Sequence, residues 1–187
     1  MGKIVLVTGG ARSGKSSFAE KYAARYGQQI AYIATAQVYD AEMAYRVSLH
    51  KKRRPPAWQT YEAPYDAHEA LAAAGQAHDL VLFDCLTLYI SNLLCAQADS
   101  SDEAANYALL REKMSLLLEQ AKANRGTTIF VTNEVGAGIV PENQLARAYR
   151  DLSGLANQMA GAAADEVYLV ACGLAVNIRR LAENWED

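Results

Sequence analysis

The sequence predicts an α/β domain with a mostly parallel central sheet flanked by helices, and three observations carry that prediction. Short β-branched or aliphatic runs alternate with longer helical segments along the 187 residues. The runs are apolar throughout rather than every second residue, the mark of strands buried on both faces, as parallel strands are. Helices between such strands supply the crossovers that a parallel sheet needs. At this length the chain is expected to form a single domain over residues 1–187, with a full core.

The elements follow in order. "KIVLVT" reads as a first strand and "GKSSFAEKYAARYG" as a helix; "QQIAYIAT" is a second strand. "AEMAYRVSLHKK" reads as a helix that the proline pair at 55 and 56 ends, since proline cannot continue helical geometry. Then come the helix "YDAHEALAAAG", the strand "DLVLFD" and the helix "LTLYISNLLCAQA". The polar stretch "AQADSSDEAANY" is a turn and helix start, with Ser101 or Asp102 as the cap, rather than a linker. In the helix "DEAANYALLREKMSLLLEQAKANRG", the row Leu109, Lys113, Leu116 and Gln120 is not cleanly apolar, so that assignment rests partly on propensity. "TTIFVTN" is a strand, and the next helix aligns Leu145, Tyr149, Leu152, Ala156 and Met159 on one face. "DEVYLVA" is the last strand expected. No internal repeat or low-complexity tract interrupts the pattern.

Composition narrows the function classes. A net formal charge of -3 argues against a general nucleic-acid binder, whose basic footprint covers a face. Cys85, Cys95 and Cys172 are odd in number and not closely paired, and are expected to be reduced, semi-buried thiols of a cytoplasmic protein. The opening apolar run is too short for a signal peptide, Leu6 stands where a myristoylation signal needs Ser or Thr, and no apolar stretch is long enough to span a bilayer.

"GGARSGKSS" fits the phosphate-binding pattern G-x-x-x-x-G-K-[ST], with Gly9, Gly14, Lys15 and Ser16 in the fixed places. It follows a strand and opens a helix, the arrangement the chemistry requires. Glycines let backbone N–H groups close around phosphate oxygens, and the helix N-terminus adds partial positive charge. Lys15 is expected to reach the β and γ phosphates and Ser16 to hold Mg²⁺. Asp84 ends the strand "DLVLFD", where a carboxylate holds the same metal directly or through water; capping of the next helix is the alternative role. Asn133 and Glu134 in "VTNEVGAGIVP" fall on the carboxyl edge of the sheet, where ligands of open α/β folds bind, although the adjacent glycines also suit a plain connection.

A second cluster surrounds a histidine. His50 falls in the last turn of its helix and is followed by Lys51, Lys52, Arg53 and Arg54. The helix terminus favours the imidazolium and the cations favour the neutral ring. A neutral imidazole among cations is suited to attack a phosphate whose charge they screen, because a nucleophile needs its lone pair; a solvated histidine in a basic helix end is the plainer reading. Trp58, Tyr61 and Glu62 follow. An aromatic with an acid can stack on a base and accept from its N–H groups, or can simply pin the loop. The guanine signature N-K-x-D is missing after "IFVTN", which leaves Glu62 as the candidate for guanine. His68 and His78 have no ligand-spaced partner and are assigned no chemistry.

"VTGGARSGKS", "YIATAQVYDAEMAYRVSLHKKRRPPAWQTYE", "FDCLTLYISNLL" and "VTNEVGAGIVPENQLARAYRDLSGLANQMAGAAADEVYLV" together resemble the bifunctional adenosylcobinamide kinase / adenosylcobinamide-phosphate guanylyltransferase family of cobalamin biosynthesis. The resemblance spans nearly the whole chain. It implies a P-loop NTPase-like fold and two reactions: ATP or GTP phosphorylates the aminopropanol hydroxyl of adenosylcobinamide, and GTP then gives GMP to that phosphate through a covalent guanylyl-histidine. It makes His50 the nucleophile. It places the triphosphate on Gly9, Gly10, Ala11, Arg12, Ser13, Gly14, Lys15 and Ser16, and nucleotide contacts on Ala34, Thr35, Ala36, Lys51, Lys52, Arg53, Arg54, Glu62 and Asp84. Ser16 and Asp84 are the expected Mg²⁺ residues. Some relatives carry a second histidine at the place of Leu49. The implied partners are a corrinoid and a nucleoside triphosphate, with no nucleic acid and no membrane segment, in a cytoplasmic homotrimer. Outside this family, a nucleotide-gated interaction module and a simple P-loop small-molecule kinase are the readings left open.

Overall fold

The computed structural model describes residues 1–38, 40, 41, 43–45, 47, 48 and 54–183. Its strands are β1 (Lys3–Thr8), β2 (Ile30–Ala34), β3 (Gln59–Glu62), β4 (Leu80–Asp84), β5 (Thr127–Val131), β6 (Glu166–Ala171) and β7 (Leu174–Asn177). They form one seven-stranded sheet in the order β3-β2-β4-β5-β1-β6-β7. Every neighbouring pair is parallel except β6 with β7. The longer helices are α1 (Lys15–Tyr26), α2 (Ala67–Ala77), α3 (Leu86–Cys95), α4 (Glu103–Ala123) and α5 (Gln144–Ala163). The described residues within 41–48 are also helical, with Asp40 Oδ1 accepting from the Met43 N–H at 2.7 Å.

The continuous apolar runs are explained by the two faces they serve. Ile4, Leu6, Val81, Phe83 and Phe130 point to the side covered by α2, α3, α4 and α5. Their chain neighbours Val5, Val7, Leu80, Leu82, Ile129 and Val131 point to the other side, where Ala19, Tyr22 and Ala23 of α1 pack. Phe83 is fully buried, with its ring 5.3 Å from Phe130 and edge-on to Tyr89 at 5.9 Å. Phe83→Ala is expected to cost about 3–5 kcal/mol, the price of a large cavity at a site three elements share. Denaturant midpoints with an unchanged slope would measure it.

Two strands escape the apolar pattern. β3 is a four-residue edge strand that is mostly exposed, and a sheet edge needs no apolar run. β7 follows β6 through a two-residue turn in which Cys172 has φ 53° and Gly173 φ 79°. Both central residues lie at positive φ, as tight hairpins require. The helix stripes also differ in detail. In α4 the buried residues are Asn106, Leu110, Met114, Leu117, Leu118 and Ala121, whereas Leu116 is 37% exposed, so the inward row lies beside the one expected. In α5 Leu152 and Ala156 are buried and Tyr149 and Met159 pack against the core, but Leu145 is exposed in the first turn. Asp102, not Ser101, caps α4 by accepting from the Ala105 N–H at 3.0 Å. Of the three thiols only Cys85 is buried; Cys95 and Cys172 are exposed, which corrects the semi-buried expectation.

Candidate active site

Parallel registry brings the site together. Ala34 lies beside Glu62 on one side and Asp84 on the other, Asp84 lies beside Val131, and Val131 lies beside Val7. Glu62, Ala34, Asp84, the segment after Val131 and the loop after Thr8 therefore share the carboxyl edge of the sheet. With strands about 4.8 Å apart, Asp84 is two spacings from the loop strand, roughly 10 Å, and Glu62 is two spacings further out.

Residues 9–14 connect β1 to α1. Three of them have positive φ: Gly9 at 155°, Arg12 at 57° and Gly14 at 98°. A Cβ on Gly9 would meet Val170 O at 2.3 Å and Ser13 Oγ at 2.7 Å, so close backbone approach demands glycine there. The β6–β7 hairpin supports the loop from outside, with the Gly173 N–H donating to Ser13 O at 2.8 Å. Ser13 Oγ is buried with no hydrogen-bond partner among the described residues, an unmet polar group inside a cradle shaped for oxygens. Lys15 Nζ donates to Gly10 O at 3.1 Å. Burial pushes the Lys15 ammonium below its ordinary range, against attraction from Cys85 and Asp84. The buried Cys85 thiol is itself pushed up to about 11 and carries no charge near neutrality, which leaves Asp84 as the working counter-charge. A half-buried cation with one distant carboxylate favours an incoming polyanion.

Asp84 does not cap a helix: α3 starts after Cys85 without a side-chain cap. Its Oδ2 accepts from the Tyr32 hydroxyl at 2.9 Å. Burial, reinforced by Asp84, raises the Tyr32 phenol far above its usual range, so it remains a donor. The Arg54 guanidinium lies 3.8 Å from the Tyr32 ring centroid and donates from Nη1 to Thr60 Oγ1 at 3.1 Å. Tyr32 therefore ties the end of the basic segment to Asp84. No sequence motif marked it, because its signal is only an aromatic within an apolar strand. Thr35 is fully buried and its hydroxyl is engaged, accepting from the Cys85 N–H and donating to Cys85 O, both at 2.9 Å. It locks β2 to the Asp84 turn, and Asn92 Nδ2 secures Thr35 O at 2.8 Å. Ala34 and Ala36 flank it, partly buried.

Glu62 shares a cleft of about 420 Å³ with Arg54, Pro55, Pro56, Trp58 and Thr60. The aromatic, acid and cation singled out in the sequence thus meet at one end of the edge. His50, Lys51, Lys52 and Arg53 lie outside the described residues. His78 closes α2, its Nδ1 at 3.0 Å from Ala74 O, and takes no part in the site. His68 sits in the first turn of the same helix, its Nδ1 buried and without a hydrogen-bond partner among the described residues.

The family model described as "Cobinamide kinase / cobinamide phosphate guanyltransferase" matches residues 5–178, which include the whole carboxyl edge. The chain belongs to that family. Within it, a protein of Salmonella typhimurium named "Bifunctional adenosylcobalamin biosynthesis protein CobU" is 42% identical over 181 residues, covering 94% of this chain and 99% of that one. A protein of the same name from Escherichia coli is 40% identical over 94% of this chain and 99% of its own length. "Bifunctional adenosylcobalamin biosynthesis protein CobP" of Pseudomonas aeruginosa is 37% identical, over 93% and 96% respectively. This cobinamide kinase / guanyltransferase chain has no helix among the described residues that is long and apolar enough to cross a membrane.

The donor set suits magnesium. Among the described residues no group of three or more His, Cys, Asp or Glu could hold a metal ion, so there is no all-protein cage. Ser16, in the first turn of α1, and Asp84, two strands away on the same edge, instead offer a hydroxyl and a carboxylate. Few hard oxygen donors next to phosphates is how Mg²⁺ is commonly held, with waters completing its shell.

Proposed function

We propose that this protein carries out two steps in sequence: phosphorylation of the aminopropanol hydroxyl of adenosylcobinamide by ATP or GTP, then transfer of GMP from GTP to that phosphate through His50. The products of the second step are adenosylcobinamide-GDP and pyrophosphate. The observation that carries this reading is the loop of residues 9–14 with the half-buried Lys15 behind it, set on the same sheet edge as Asp84 and Glu62. Family membership supports the pairing of two activities.

In the first step the backbone N–H groups of the loop and the Lys15 ammonium hold the β and γ phosphates, so that the alcohol meets phosphorus in line. When bound, Mg²⁺ on Ser16 and Asp84 would neutralise charge on those phosphates. In the second step an imidazole nitrogen of His50 attacks the α phosphorus of GTP, the bond to the bridging oxygen breaks, and pyrophosphate leaves. A phosphate oxygen of the corrinoid then attacks the same phosphorus and the P–N bond breaks. Splitting a displacement between two anions in this way gives two easier steps. Lys51, Lys52, Arg53 and Arg54 would screen the approach, while Trp58 and Glu62 would hold guanine. We propose further that residues 1–187 act as one catalytic domain in a cytoplasmic homotrimer.

Incubation with adenosylcobinamide and γ-labelled ATP or GTP tests the first step, and pyrophosphate release on adding GTP to the phosphorylated product tests the second. Label is expected on the corrinoid, followed by pyrophosphate. A protein that hydrolyses nucleotide without labelling any corrinoid would instead be a nucleotide-gated module.

A further inference from the structure

We propose that Glu134 is the general base of the phosphoryl-transfer step, taking the proton from the alcohol that attacks the γ phosphate; this rests on the kinase reading above. Glu134 follows β5, the strand between the Asp84 strand and the loop strand. It is fastened to the start of the phosphate loop twice. Its N–H donates to Gly9 O at 3.3 Å, and its Oε1 accepts from Thr8 Oγ1 at 2.5 Å. Asn157 Nδ2 adds a longer contact to Oε1 at 3.3 Å and donates to Asn133 O at 3.0 Å, and Asn157 Oδ1 accepts from Thr132 Oγ1 at 2.7 Å. One carboxylate oxygen is therefore held by an oriented network anchored on buried Thr8 and Thr132. The other makes no hydrogen bond or ion pair among the described residues, and the side chain stands exposed at the rim of the loop.

That arrangement is more than a brace needs. A carboxylate serving only to hold Thr8 gains nothing from leaving an oxygen open to the site, whereas a base needs one oxygen fixed and one free. The other acids of the edge are committed elsewhere: Asp84 to Tyr32 and the field of Lys15, Glu62 to the outer cleft with Trp58. The chemistry also divides the two steps. An alcohol must lose a proton as its oxygen bonds to phosphorus; here the proton passes to the open oxygen of Glu134, the bond from the γ phosphorus to its bridging oxygen breaks, and the nucleoside diphosphate leaves with the electron pair. The exposed acid then returns the proton to water. In the guanylyl step the acceptor is a phosphate that is already anionic and needs no base.

Glu134→Gln separates these roles, because the amide oxygen still accepts from Thr8 and Asn157 but cannot take a proton. The expected result is a fall in the ratio of kinase kcat to guanylyl-transfer kcat of roughly 10²- to 10⁴-fold, the usual worth of a general base, with the KM for nucleotide little changed. The guanylyl step is measured on adenosylcobinamide phosphate supplied ready-made. Thr8→Val, which removes the brace and leaves the carboxylate, is expected to lower the same ratio far less. A Glu134→Gln enzyme with an unchanged ratio, whether both activities survive or both fall together, overturns the proposal. Wild-type protein that phosphorylates no corrinoid would refute the kinase reading itself, which is a distinct outcome.

Discussion

Lys15→Ala is expected to lower kcat/KM for both phosphoryl and guanylyl transfer by roughly 10²- to 10³-fold, the cost of removing one preorganised charge from a developing phosphate transition state. The two reactions attack different phosphorus atoms, yet each needs the triphosphate tail anchored. Lys15 is suited to that because it is half-buried and so partly desolvated, with burial lowering its ammonium and Asp84 as the counter-charge. In water an ammonium would first have to shed its hydration shell. Here folding has already removed part of that shell, and the nucleotide gains an attraction that bulk solvent would screen more fully. Parallel assays with γ-labelled and α-labelled GTP measure both losses. A wild-type rate in either would show that this step does not use the loop between β1 and α1.

His50→Ala is expected to abolish guanylyl transfer while leaving kinase activity measurable. The asymmetry follows from the proposed chemistry: the alcohol attacks the γ phosphate without a protein nucleophile, whereas GMP would pass through a P–N bond. Arg54 is stacked on Tyr32, which in turn donates to Asp84, so the chain that carries the histidine is fastened four residues later to the strand end facing the loop. Equal survival of both activities in the variant would remove the covalent step, and equal loss would assign His50 to binding alone.

The candidate site was legible where chemistry imposes a local pattern. Gly9, Gly14, Lys15 and Ser16 stand at intervals that a phosphate loop requires, and Asp84 ends an apolar strand whose length places it on the carboxyl edge. What escaped was support without local constraint. Tyr32 reads as one more strand residue, and only the pairing of β2 with β4 reveals that its hydroxyl meets Asp84. Cys172 and Gly173 lack the Asn-Gly or Asp-Gly sequence that advertises a tight hairpin, yet their turn donates to Ser13 and steadies the loop. Glu134 could be placed on the right edge from its position after a strand, but its ties to Thr8 and Gly9 come from β5 lying beside β1. The fold behaved in the same way. Five apolar strands announced themselves, while edge strands β3 and β7, exposed on alternate or most positions, offered no such run.

Intact-mass spectrometry of the protein after exposure to GTP and Mg²⁺, with peptide mapping of any adduct, tests the covalent step most directly. The expected product is a single added GMP on His50, lost in acid and stable in base as a phosphoramidate is. Protein that gains no mass, or carries the nucleotide on another residue, would contradict guanylyl transfer through this histidine.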